Sequence, residues 1–384
     1  MTSWDTLRQE QQYELCIMTK RTEKATAFDF ARILIAWQKQ HGRHGLPWQK
    51  TRSAYRIWLS EIMLQQTQVA TVVPYYTRFL RRFPNVCALA EAEHEEVMAL
   101  WSGLGYYARA RHLHRCAKVI VQKYGGRFPM DAHALAQLPG IGRSTASAIV
   151  VFSCNIRAPI LDGNVVRFFS RLFGIDGYAG TRVTKERLWQ QAELLLPGRN
   201  VKAYTQGLMD VGATLCTRVR PACERCPFAD RCVALAEDSV SALPTRKPSR
   251  ALPQKQVVMA LLVYRGSILL KKRPDSGIWG GLFSLPEEEV RAGREGAAEM
   301  RQWATCFGGI AEEERWNNFV HTFTHFRLHV TPILFRMSSA ISLANDAEYV
   351  WYALDRTATA PLPAPVKKLL LRAHANAVSP NSGA

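Results

Sequence analysis

The chain has 384 residues, more than one ordinary domain, so at least two compact units are expected, each able to bury its own core. No apolar run approaches the roughly 18–20 residues that span a bilayer, which excludes a membrane-spanning helical protein. Lys and Arg outnumber Asp and Glu by 50 to 32, a formal charge of +18; such an excess favours a polyanionic partner, because each phosphate neutralised releases a condensed counterion. The N-terminus has no apolar secretory core, and Asp5, Glu10 and Glu14 argue against an acid-poor transit peptide, so an intracellular location is expected.

Residues 1–26 are polar and poorly patterned, and read as an N-terminal extension. From Phe28 to about Ala236 apolar residues recur at three and four spacing, in 28–37, 55–64, 69–80, 113–121, 144–152, 164–173 and 186–196. Gly and Pro break these runs, so this region is expected to be helical. Residues 237–256 read as a linker, since 239–256 holds three Pro and four basic residues and no acid. The period then changes: VVMALLVY, the turn Arg265-Gly266 and SILLKKR predict a β-hairpin, 321–335 alternates like strands, and 364–375 predicts a closing helix. The second unit is therefore α+β over 257–375, followed by a tail at 376–384.

Four cysteines, Cys216, Cys223, Cys226 and Cys232, fall within seventeen positions, while the other five of the nine are scattered. This distribution points to reduced thiols plus a metal site, zinc or iron–sulfur by ligand softness. Gly140-Ile141-Gly142 joins a short helix at 131–137 to a longer one. Two glycines two apart permit a tight turn close to a ligand, and the following helix N-terminus suits a phosphate; an ordinary αα-hairpin is the plain alternative.

Two carboxylates are isolated in sequence. Glu61 is the lone acid between Asp29 and Glu91, beside the apolar face of Trp58, Leu59, Ile62 and Met63. Desolvation there would raise its pKa and suit it to general acid work, whereas a salt bridge to a residue such as Arg56 would be purely structural. Asp162 is the lone acid between Asp131 and Asp176 and precedes a helical run, so it either caps that helix or stays ionised for chemistry, or both. One protonated and one charged carboxyl is the arrangement that cleaves glycosidic bonds through an oxocarbenium-like state.

The strings WLSEIMLQQTQVATVVPYY, WSGLGYYARARHLH, LPGIGRSTA and ILDGNVVR, with the cysteine loop, occur in order across about 28–236. Together they resemble the adenine DNA glycosylases of the MutY family, in the endonuclease III superfamily. The resemblance implies a mostly α helix-hairpin-helix glycosylase domain over 27–236, with a [4Fe–4S] cluster in a loop at 216–232. It makes Glu61 the acid that protonates adenine and Asp162 the carboxylate facing the sugar cation. It places Asn164 and Tyr106 near the departing base and the opposing strand. Gln65 and Gln66 fall in a wedging helix, Trp48 and Gln206 in an adenine pocket (core and solvated helix being their plain alternatives), and Gly140, Gly142, Ser144 and Thr145 on DNA.

Ser144 stands where bifunctional relatives carry a Schiff-base Lys, and no Lys occurs between Lys123 and Lys185. A monofunctional enzyme that uses water is therefore expected. This chain also has Val166 where many bacterial members have Lys, so covalent trapping should be weak. Arg109, Arg111, Arg115 and Lys118 could hold phosphates or form a solvated helix face.

SGIWGGLFSLP at 276–286 resembles the start of a Nudix-type fold, but 287–303 lacks the glutamate pattern that binds magnesium for hydrolysis. Recognition is expected instead, with Phe323, Thr324 and His325 at the tip that reads 8-oxoguanine. The implied substrate is double-stranded DNA with adenine opposite 8-oxoguanine or guanine, acted on by a monomer. Competing readings are an endonuclease III-like glycosylase/lyase for oxidised pyrimidines, a non-catalytic iron–sulfur DNA-binding protein, and nucleotide hydrolysis by the C-terminal unit.

Overall fold

The structure is a computed structural model that describes residues 29–248, 251–290, 296–343, 346, 348–357 and 360–378. The expected extension at 1–26 and most of the tail at 376–384 lie outside the described residues. Contacts divide the chain into two units that do not follow the chain order. The first holds Met1–Gln66 and Val119–Pro248; the second holds Thr67–Lys118 and Ser249–Ala384.

In the first unit, α1 runs through 29–41, α2 is Ala54–Leu64, α7 is Ala132–Ala136, α8 is Arg143–Cys154, α9 is Gly163–Leu172, α10 is Arg182–Leu194, α11 is Val201–Asp210 and α12 is Val233–Ala236. In the second lie α3 (Val69–Arg82), α4 (Val86–Glu91) and α5 (His94–Trp101), while α6 (Ala108–Tyr124) straddles the division. Each helix that positions site residues has a local cause. Ser53 caps α2 by accepting from Arg56 N, Asp131 caps α7, and Asp162 caps α9 by accepting from Val165 N at 2.8 Å. Phe30, Phe168, Phe169, Tyr204 and Phe228 fill the core with α1, α9, α11 and the cysteine loop around them, Phe30 stacking on Phe228 at 4.7 Å.

The second unit pairs β1 (Gln254–Tyr264) with β2 (Ser267–Lys272) through Arg265 and Gly266, both at positive φ as a type I′ turn requires. Its sheet runs β3 (Phe283–Ser284), β2, β1, β7 (Arg327–Met337), β5 (Ile310–Arg315), with β1 and β7 parallel. β4 (Glu287–Glu289) pairs β1, β6 (Phe319–Thr322) pairs β7, and β8 (Tyr349–Ala353) pairs β2. α13 (Gly296–Ala304) buries Met300 and Ala304 against Val258, Ala260 and Leu262, and α14 (Ala364–Val378) closes the chain. Polar contacts fasten α3–α5 and the start of α6 to this unit: Ser102 Oγ donates to Leu362 O, Arg111 to Gly280 O, and Lys272 pairs with Glu95.

Two expectations change here. The linker begins as a docked strap: Leu243 is buried, Arg171 Nε donates to its carbonyl at 2.9 Å, and Gly177 N donates to Thr245 Oγ1 at 3.0 Å. The basic run on α6 is also not one solvated face. Arg109 is 9% exposed, donates to Thr67 Oγ1 and the carbonyls of Leu104 and Gly105, and lies over the rings of Trp101 and Tyr106. Burial lowers its pKa to about 10, which still leaves it charged at neutral pH, but spent on its own chain and unavailable to a phosphate.

Candidate active site and iron–sulfur loop

Glu61 projects from α2, amid the buried Trp58, Leu59, Ile62 and Met63. The residue keeps some exposure, yet its carboxyl is packed round by protein. Burial first, and the charge of Asp162 second, push its pKa up to about 8. No cation is among the causes of that shift, so the structural alternative, a salt bridge to Arg56, is not what governs this group.

Asp162 lies within electrostatic reach of Glu61, a hundred and one positions away in sequence. Both alternatives read from its sequence position coexist. One oxygen caps α9; the other accepts from Asn164 Nδ2 at 3.1 Å. Its net shift is upward, because burial outweighs the bonds from Val165 and Asn164 and the charge of Arg167. The helix N-terminus therefore moderates the desolvation without overcoming it. Two desolvated carboxyls facing each other hold one proton more readily than none. Asp162 has the donors that stabilise a carboxylate and Glu61 has none among its causes, so the shared proton belongs on Glu61.

Asn164 links this pair to the cysteine loop. Its Oδ1 accepts from Arg167 Nη2 at 2.9 Å, and Arg167 Nε donates to Cys216 O at 2.7 Å. Gly212 packs where a Cβ would meet Asn164 Cβ at 2.6 Å, so a side chain there would displace the start of α9. Ser144 is half-buried, and its hydroxyl accepts from Leu161 N at 3.0 Å, steadying the residue before Asp162. Gly140 has φ +77° and Gly142 caps α8 in open space, while Thr145 is half-buried.

Trp48 is buried at a 3-10 turn, Pro47–Lys50. Gln206 is not simply a solvated helix residue: its Nε2 donates to Asp210 Oδ1 at 2.9 Å. Asp210 is fully buried and also binds Arg43 through N (3.0 Å) and Nε (2.7 Å), while Gln49 bonds back to Arg43 O. This network ties the loop bearing Trp48 to α11. Asp210 passed unnoticed in sequence, although it is the lone acid between Glu193 and Glu224, the same signal that marked Glu61.

Gln65 ends α2, and Gln66 follows at φ +56°, a left-handed conformation that a non-glycine rarely holds without a functional reason. The remaining predicted residues belong to the second unit. Tyr106 is 47% exposed at φ +48°. Phe323 N donates to Phe326 O at 2.9 Å, closing a turn that leaves Thr324 and His325 exposed.

The four cysteines line one small cavity with Phe168, Arg171 and Leu172. Burial pushes the Cys226 thiol up to about 11, with Cys216, Cys232 and Cys223 adding to the shift, so all four sulfurs share one field. Among the described residues no three His, Cys, Asp or Glu side chains converge closely enough to hold a single ion. Four thiols on one cavity are a donor set that suits a soft metal group, zinc or iron–sulfur. Arg171 is 3% exposed; its Nη1 donates to Cys216 Sγ at 3.4 Å and to Thr217 O at 2.7 Å. Arg171→Met strands these acceptors as well as Leu243 O, and should lower unfolding stability by about 3 kcal/mol in a denaturant titration.

Residues 59–193 match the model of the HhH-GPD superfamily of base excision DNA repair proteins, 216–232 the iron-sulfur binding domain of endonuclease III, and 257–372 the NUDIX domain. An adenine DNA glycosylase of Buchnera aphidicola subsp. Schizaphis graminum is 35% identical over 348 residues, covering 90% of this chain and 99% of that protein. The chain belongs to the adenine DNA glycosylase family. The family's human adenine DNA glycosylase is 33% identical over 358 residues, 78% of this chain and 65% of its own length. A solved thermostable thymine-DNA glycosylase superposes with TM-score 0.51 at 28% identity, covering 56% of this chain and 98% of that one.

The protein is thus an adenine DNA glycosylase of base excision repair, with DNA as substrate and a [4Fe–4S] cofactor, its iron-sulfur binding domain spanning residues 216–232. Cys216, Cys223, Cys226 and Cys232 would hold the cluster, in the loop that Arg167 and Arg171 fasten to α9. Arg218, Arg220, Arg225 and Arg231 interleave its ligands. No helix among the described residues is long and apolar enough to cross a membrane.

Proposed function

We propose that this chain, acting as a monomer on double-stranded DNA, hydrolyses the N-glycosidic bond of adenine opposite 8-oxoguanine or guanine and leaves an abasic site. The observation that carries it is the coupled pair: a desolvated Glu61 with pKa near 8 facing an Asp162 supplied with donors.

The adenine must leave the stack, since its bond is inaccessible inside a duplex. Glu61 then donates its proton to a ring nitrogen of the base, and the N-glycosidic electron pair leaves with the adenine. Asp162, bonded by Val165 N and Asn164, offsets the positive charge growing on C1′. Water adds to the sugar and gives its proton to the now ionised Glu61, which restores the starting state. Ser144 is engaged by Leu161 N and no Lys occurs between Lys123 and Lys185, which supports the monofunctional reading over a lyase.

The test is base release from duplexes with adenine opposite 8-oxoguanine, guanine or thymine, read as alkali-induced strand breaks. Release opposite 8-oxoguanine and guanine with none opposite thymine is expected; equal release from all three would refute the opposing-base preference. Across pH, the single-turnover rate should hold while Glu61 keeps its proton and fall about tenfold per unit as pH rises past about 8. A rate that climbs through that range would assign Glu61 the role of base.

A further inference from the structure

Trp279 sits in the loop between β2 and β3 at φ +54°, a left-handed conformation unusual for so bulky a residue. Glycines occupy the neighbouring strained positions: Gly277 and Gly281 have φ +78° and +74°, and a Cβ on Gly280 would strike the carbonyls of Ser276 and Pro274. A glycine at 279 would relieve the backbone too, so the indole must serve something the backbone strain opposes.

Its surroundings show what. One side of the loop is anchored to the sheet: the Arg273 guanidinium faces the Trp279 ring at 5.2 Å, pairs with Glu287, and Arg273 N bonds Leu282 O at 2.9 Å. The ring, 7% exposed, meets His321 at 5.6 Å and Phe323 at 5.4 Å. Phe323 in turn stacks on Phe326 at 4.5 Å and closes the turn that presents Thr324 and His325. Beside the indole, Gly280 O accepts from Arg111 Nη1 at 2.7 Å, on the first turn of α6, the helix that follows Tyr106.

We propose that Trp279 is a positioning residue that holds the 323–326 turn at a set distance from Tyr106, and so determines how strongly the enzyme prefers one opposing base over another. It acts this way only if that turn meets the base opposite adenine, as proposed above. Without the indole, Phe323 loses its backing and the turn samples positions from which Thr324 and His325 miss the base.

The test compares full-length wild type, Trp279→Gly, Trp279→Tyr and Phe323→Ala in single-turnover adenine release opposite 8-oxoguanine and opposite guanine. The ratio of the two rates is the readout, and thermal unfolding the check on folding. Trp279→Gly should lower the ratio about tenfold, the scale of two lost aromatic contacts, while Trp279→Tyr stays within about threefold of wild type. A Gly variant whose ratio stays within about twofold of wild type overturns the proposal. If Trp279→Gly does not unfold cooperatively, Trp279→Leu decides: it keeps apolar volume but no ring, and a wild-type ratio there is equally fatal. Should wild type show no preference, or Phe323→Ala leave it intact, the turn does not read the opposing base, a failure visible without any Trp279 variant.

Discussion

Glu61→Gln should lower the single-turnover rate of adenine release by roughly 10²- to 10⁴-fold, the range that a positioned general acid supplies. Gln fills the same volume and still donates a hydrogen bond, so DNA binding should change little. What it lacks is a transferable proton. The same substitution should make the protein more stable above pH 8. The folded pKa of Glu61 is about 8 against an ordinary 4.5, so its native state is favoured while the carboxyl is protonated. That advantage is fully present below the unfolded pKa and is lost as pH rises through 4.5 to 8, at a cost on the order of a few kcal/mol. Unfolding titrations at pH 6 and pH 9 test it: wild type should weaken between them and Glu61→Gln should not, beyond what other groups contribute. Equal pH dependence in the two proteins would mean that Glu61 is not desolvated.

Asp162→Asn should lower the same rate by roughly 10²- to 10³-fold, the scale seen when one preorganised electrostatic contact to a developing charge is removed. The cap on α9 should survive, because Asn is as good a capping acceptor as Asp and one oxygen remains for Val165 N. Stability should therefore stay within about 1 kcal/mol of wild type at pH 7, which separates loss of charge from loss of fold. The bond from Asn164 Nδ2 to the second oxygen is the one at risk, since the new amide must turn its NH₂ toward another donor. Asp162→Asn should also bring the apparent pKa of Glu61 down, because one of the two causes of its elevation disappears. The pH at which the residual rate declines should move to lower values; an unmoved midpoint would mean that the two carboxyls do not sense each other.

Much of this molecule is decided locally and is therefore legible in its residues. Helix-period runs, the Arg265-Gly266 turn and the caps at Asp131 and Asp162 depend on neighbours within a few positions, and the cysteine loop on spacing within seventeen. Isolation of an acid in a long acid-free stretch marked Glu61 and Asp162 for the same reason that it would have marked Asp210: a carboxylate kept among apolar and basic neighbours needs a use or a partner.

Only the tertiary structure could decide which use each acid has. Asp210 found Arg43, 167 positions away, and is paired with it, whereas the causes that shift Glu61 are burial and Asp162, with no cation among them, which is what supports the acid role proposed for it. The same long-range chemistry brought Arg109 to Thr67, 42 positions away, drew helices α3–α5 into the unit built on the C-terminal sheet, and docked the start of the linker through Arg171. Desolvation and charge pairing are properties of the surroundings in space, and those surroundings are assembled by burial of the two cores before any single position can show them.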